Sequence, residues 1–182
     1  MNILELKDLT IYFNSRAGKV HAVEGVNLCL EKGKILGVAG ESGCGKSTTA
    51  LSILRLLPSN ADIVRGQVIF NNENLAIKSE KEMEKIRWKQ ISIIFQGSMN
   101  ALNPLKTVGM QTMEPILLHE KDTSKTEAKK RAKELLEQVG IAQNRFYSYP
   151  HEFSGGMRQR AMIAMSLACR PELVIADEPV TA

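Results

Sequence analysis

At 182 residues, with 43% apolar and 24% charged side chains, the chain has the bulk of one globular domain with a real core, which excludes disordered and collagen-like classes. Its net charge of +4 comes from scattered lysines, the pattern of an ordinary soluble surface and not of a nucleic-acid footprint. No apolar run approaches the ~20 residues of a membrane span, Met1–Glu5 lacks the layout of a signal peptide, and three cysteines and three histidines show neither a disulfide framework nor metal-ligand spacing, so a cytosolic chain is expected.

Residues 3–13 alternate loosely between apolar and polar and predict a half-buried strand, with Tyr12 and Phe13 near its end as aromatic faces suited to a purine or simply to a core. A turn over 14–19 leads to a second alternating run, Val20 to Leu30, and together these suggest an antiparallel sheet. Glu31–Lys34 then turns into the apolar run Lys34–Ala39, which reads as a buried parallel strand. It ends at Gly40-Glu41-Ser42-Gly43-Cys44-Gly45-Lys46-Ser47-Thr48, a match to the phosphate-loop pattern G-x-x-x-x-G-K-[ST]. A triphosphate needs many donors in a small space. The three glycines let the backbone turn its N–H groups inward, Lys46 adds a full charge for the β- and γ-phosphates, and the Ser47 hydroxyl suits Mg²⁺. Residues 48–57 are predicted as the helix whose N-terminus faces those phosphates.

Pro58–Asp62 is a loop and Arg65–Asn71 a further strand; Ser79, with Glu82 three residues on, starts a short charged helix. Ile91–Phe95 is a second buried strand. It ends at Gln96, where parallel sheets bind ligands, and the amide suits Mg²⁺ and a water. After a Gly/Asn/Pro loop, helices are expected over 108–119, despite Pro115, and over 123–140, with Ala128, Ala132, Leu135, Leu136 and Val139 on one face and Gly140 at the end. Ser154 should cap another helix, with Gly155 and Gly156 leaving N–H groups open as a second anion site, and Pro171 should end it. Leu173–Ala176 reads as a third buried strand ending in Asp177 and Glu178. Asp177 suits the metal, directly or through water, and Glu178 suits a general base that polarises water.

Taken in order, the loop at 40–48, Gln96, Phe153-Ser154-Gly155-Gly156-Met157 and the apolar run into Asp177-Glu178-Pro179 resemble the Walker A, Q-loop, signature and Walker B segments of the ATP-binding cassette (ABC) ATPases. Finer wording, in Ala101-Leu102-Asn103-Pro104 and Tyr149-Pro150-His151-Glu152-Phe153, resembles the dipeptide/oligopeptide/nickel import group, although Gly97-Ser98 departs from the usual Asp-Pro. The resemblance implies an α/β phosphate-loop core with a parallel sheet over 34–62, 86–96 and 169–182. It implies an antiparallel β subdomain over 1–33 and 63–75, and a helical subdomain over 97–168. It implies ATP and Mg²⁺ as ligands. Phe13, the loop Gly40 to Thr48 and Gln96 would hold nucleotide, with Tyr12 the second choice for the base. Ser47, Gln96 and Asp177 would hold the metal, and Glu178 would be catalytic.

Ser154, Gly155, Gly156 and Met157 would act in trans, closing on ATP held by a second cassette, identical or not. The implied partners are that second subunit, membrane permease subunits and, indirectly, an external binding protein, with the chain peripheral at the cytoplasmic membrane face. None of the three histidines lies downstream of Glu178 to serve as the family's switch histidine, so a fragment of a longer subunit or a truncated gene product is expected. A nucleotide-binding module without turnover and a soluble, non-transport ABC ATPase are the alternative readings.

Overall fold

Strand alternation builds the first half of the molecule. Strands β1 (Asn2–Ser15), β2 (Gly18–Glu31), β3 (Ala61–Phe70) and β4 (Glu73–Asn74) form an antiparallel sheet in the order β2-β1-β3-β4. Leu4, Leu6, Leu9 and Ile11 of β1 are buried together with Val68 and Phe70 of β3, which is the burial that fixes the register. The computed structural model describes residues 1–95 and 101–178 and separates into two units, Met1–Glu84 and Lys85–Ala182. Gln96 and Pro179 to Ala182 lie outside the described residues.

The β1–β2 register shifts at several points, one of which bears on the loop that follows. Ile11 pairs with Val23 but Tyr12 pairs with His21, so Ala22 is an extra residue, a β-bulge. The bulge lets Tyr12 stack on His21, with ring centroids 3.9 Å apart and planes 13° from parallel. Phe13, two residues on from the buried Ile11 and so on its face, is paired with Val20 and Ala61.

The run Lys34–Ala39 is not a strand, contrary to the sequence expectation. Ile35 is 99% exposed, and Leu36 and Val38 are exposed as well. The physical reason is that a strand exists only through its ladder partners, and among the described residues no strand pairs with this run. Helix α1 (Lys46–Ile53) follows; it is shorter than expected and closes at Leu54, after which Arg55 takes a left-handed backbone (φ 52°). Ser79 begins α2 (Glu80–Ile86) as anticipated, with its backbone N–H donating to the Glu82 carboxylate.

In the second unit β5 (Ile91–Ile94) and β6 (Leu173–Ala176) run parallel, Ile91 opposite Leu173 and Ile94 opposite Ala176. Three helices accompany them: α3 (Val108–His119), α4 (Lys125–Gln138) and α5 (Gly155–Ser166). Each starts where a hydroxyl caps it: Thr107 accepts from the Met110 N–H, Ser124 from Glu127 and Ser154 from Met157. Pro115 is accommodated inside α3. On α4, Ala128, Ala132 and Leu136 are fully buried, Leu135 and Val139 partly so, and Gly140 (φ 74°) ends the turn. α5 stops at Leu167, short of Pro171; its last carbonyls bond the Leu167 N–H, and Arg170 then turns left-handed (φ 51°).

One contact in this core makes a sharp prediction. A Cβ at Gly109 would lie 2.3 Å from the ring of Phe146, which is 2% exposed and packed in the cluster with Val108, Leu136 and Ile141. The ring has no room to yield, so Gly109→Ala is expected to cost about 1–3 kcal/mol of stability, read as a lowered thermal midpoint. An unchanged midpoint would mean that the cluster repacks freely.

Candidate functional site

The phosphate loop lies in the first unit and is built by close approach. Gly43 (φ 81°) and Gly45 (φ 93°) adopt left-handed backbone that other residues resist. At Gly45 there is a second constraint: a Cβ would sit 2.5 Å from the Ala22 carbonyl oxygen and 3.1 Å from Val23 Cγ2. The loop thus rests directly on the β2 bulge, a support that only the strand register reveals.

Gly45 caps α1 with no side-chain hydrogen bond, and the first turn of the helix holds no acid. Its leading N–H groups thus receive no side-chain cap, and they lie at the positive end of an eight-residue helix. The Lys46 ammonium curls back into the loop, donating to the Gly40 carbonyl at 2.7 Å and the Glu41 carbonyl at 2.8 Å. Nζ also lies 3.7 Å from Cys44 Sγ. Residues Gly40 to Cys44 are exposed, and Gly45 to Thr48 half-buried, so the loop is wound round a cation and open to solvent. This set fits a polyphosphate: N–H donors at a helix start, one ammonium and one hydroxyl, Ser47, at the second residue of the helix. Phe13 is half-buried on the same unit, while Tyr12 is engaged with His21.

The cysteines divide by exposure. Cys44 and Cys29 are exposed; Cys169 is buried, and burial pushes its thiol up to about 11. Cys29 is exposed because β2 is an edge strand with one face in water. A small maleimide is expected to label Cys44 and Cys29 and spare Cys169. Mg-ATP should protect Cys44 alone, since a Cβ on Gly40 would meet its sulfur at 2.7 Å, which puts the thiol over the loop. Mass-spectrometric mapping checks this; labelling of Cys44 that ATP does not slow contradicts a nucleotide at the loop.

The second unit carries the other expected residues. β6 delivers Asp177 and Glu178 from its C-terminal end. The Asp177 N–H donates to the Ile94 carbonyl at 3.0 Å, which continues the ladder one step beyond the strand. Glu178 has a left-handed backbone (φ 45°), a conformation a non-glycine residue adopts at a cost and that re-aims its side chain away from the strand direction. Asp177 is half-buried and Glu178 exposed. Ser154, Gly155, Gly156 and Met157 form the capped start of α5, where Arg158 donates to the Phe153 carbonyl at 3.1 Å and steadies the entry. Ser154 and Gly156 are exposed and present the helix N-terminus outward.

Residues 23–181 match the family described as ABC transporter. The chain is 51% identical, over 99% of its length, to a probable peptide ABC transporter ATP-binding protein of Sinorhizobium fredii and to the oligopeptide transport ATP-binding protein OppD of Bacillus subtilis. It covers 54% and 51% of those two proteins, so it spans about half the length of the curated relatives it matches. Among solved structures it is similar to an ATP-binding cassette described as a dimer in a post-hydrolysis state bound to ADP and Pi. There the TM-score is 0.88 at 30% identity, over 98% of this chain and 75% of that one.

Proposed function

This chain belongs to the ABC transporter family, and from that premise we propose that it binds ATP at Gly40–Thr48 and drives peptide uptake by hydrolysing it. The observation that carries the reading is the phosphate loop itself: a helix N-terminus with no side-chain cap, Gly45 packed on a strand bulge, and the Lys46 ammonium held at its centre. In this reading Phe13 stacks on the adenine, the loop N–H groups and Lys46 hold the phosphates, and Ser47, Gln96 and Asp177 hold Mg²⁺. The metal supplies charge neutralisation of the β- and γ-phosphates. Glu178 accepts a proton from the water that attacks the γ-phosphorus, the bond to the bridging oxygen breaks, and ADP leaves with its new charge spread over phosphate oxygens.

The exposed start of α5, Ser154 to Met157, serves a second cassette's nucleotide, a role supported by its outward N–H groups and by the dimeric cassette to which the chain is similar. No helix among the described residues is long and apolar enough to cross a membrane, so membrane association is proposed to come through permease subunits. Peptide is favoured over nickel as cargo because the similar proteins are described as peptide, oligopeptide and dipeptide transport proteins. The test is ATP turnover by the full-length polypeptide reconstituted with its permease and binding protein in vesicles. Peptide-loaded binding protein is expected to stimulate phosphate release several-fold; stimulation by nickel and not by peptide would reassign the cargo.

A further inference from the structure

Three elements of the second unit meet at one guanidinium. Arg131, in the middle of α4, forks onto both carboxylate oxygens of Glu120, the residue that closes α3, with one of the two bonds at 3.0 Å. Its Nη2 also donates to the Ala168 carbonyl at 2.9 Å, just past the end of α5. Glu120 is itself steadied by the Thr123 hydroxyl at 3.1 Å. The Arg131 side chain is only 14% exposed and that of Glu120 29%, so the pair is shielded from solvent far more than an ordinary surface bridge. The guanidinium holds the Glu120 carboxyl below the usual carboxylate range, as a short forked contact should.

What surrounds this contact gives it weight. Beneath it Ile116 of α3, Ala128 of α4 and Ala168 form a small, fully buried apolar cluster, with Met113, Leu117 and Leu135 packed against it. Beside it, between Arg131, Leu135 and Gln138 of α4 and the segment Leu167–Pro171, lies an open cavity of about 280 Å³. α4 and the turn after α5 are therefore not welded along their length, and the guanidinium spans the gap. The chain runs from that turn into β6 within a few residues, where the Glu172 and Leu173 N–H groups dock on the Gln90 carbonyl. α5 thus begins with the exposed Ser154–Met157 segment and ends at a corner that leads to Asp177 and Glu178.

We propose that Arg131 is a positioning residue: by tying the end of α3 and the Ala168 carbonyl to α4, it makes the three helices move as one body and sets the approach of β6, hence of Asp177 and Glu178. The catalytic consequence rests on the ATPase reading above; the mechanical role does not. Arginine is required because one planar fork serves a carboxylate and a carbonyl together, which a lysine ammonium on a flexible stem does less well.

The experiment compares amide exchange in wild type, Arg131→Met, Arg131→Lys and Glu120→Gln. Arg131→Met keeps the length and loses every donor. It is expected to raise exchange at Leu173–Ala176 about 10-fold, while Lys46–Ile53 in the other unit stays unchanged. Arg131→Lys should recover part of the protection. Glu120→Gln, which preserves shape and removes the charge from one end of the strut, should shift β6 in the same direction and covers the case in which Arg131→Met fails to fold. In the full-length polypeptide Arg131→Met is expected to lower kcat by about 10-fold with the KM for ATP within about 2-fold, a split that general unfolding does not produce. Unchanged β6 exchange in the folded variants overturns the proposal. Wild-type protein that exchanges as expected but shows no ATP turnover would remove the ATPase reading and leave the mechanical role intact.

Discussion

Glu178→Gln is expected to leave a polypeptide that still binds ATP but turns it over at least ~100-fold more slowly. The amide keeps the size of the side chain and its hydrogen-bonding reach, yet it takes no proton from water. The strand that delivers it should stay in place, because main-chain bonds hold it: the β5–β6 ladder, extended by the Asp177 N–H to Ile94. The measurement is steady-state phosphate release by the full-length polypeptide, with size-exclusion chromatography in ATP. Slow release together with a stable ATP-bound dimer is the expected pair of results. Near-normal release would assign the base to another group.

Lys46→Ala should weaken ATP binding by about 1.5–3 kcal/mol, roughly 10- to 150-fold in Kd, the range for a charge-assisted hydrogen bond in a partly desolvated site. In the structure the ammonium is occupied by the Gly40 and Glu41 carbonyls, so nucleotide competes with those contacts and the net gain is the difference. The same two bonds hold the loop in shape. Truncation therefore removes both a phosphate ligand and part of the loop's preorganisation, and an effect at the upper end of the range is expected. Thermal stability should change little, since Lys46 is not part of the buried core.

Much of this was legible in the sequence because it is local. Ser154 announces its helix through a hydroxyl three residues before the N–H it caps, and the spacing of Ala128, Ala132 and Leu136 announces a buried face. The phosphate loop is legible for the same reason: its chemistry is written in nine consecutive residues. Features that depend on distant partners were not. Lys34–Ala39 has the composition of a buried strand, but composition names no ladder partner, and the run is exposed. The bulge at Ala22 cannot be read from Val20–Leu30 alone, although it supports Gly45 and separates Tyr12, stacked on His21, from Phe13. Nothing local marks Gly109, since the ring that crowds it belongs to Phe146, 37 residues on. Arg131 lies among the charged residues of α4, and its commitment to Glu120 and Ala168 is a tertiary fact.

Calorimetric titration of this chain with ATP, ADP and AMP in the presence of Mg²⁺, alongside the Lys46→Ala variant, tests whether Gly40–Thr48 is a polyphosphate site. The loop offers its donors to the β- and γ-phosphates, so ATP and ADP should bind, AMP should bind far more weakly, and the variant should lose most of the affinity for the first two. Equal binding of all three nucleotides, or ATP affinity indifferent to Lys46, would contradict the account.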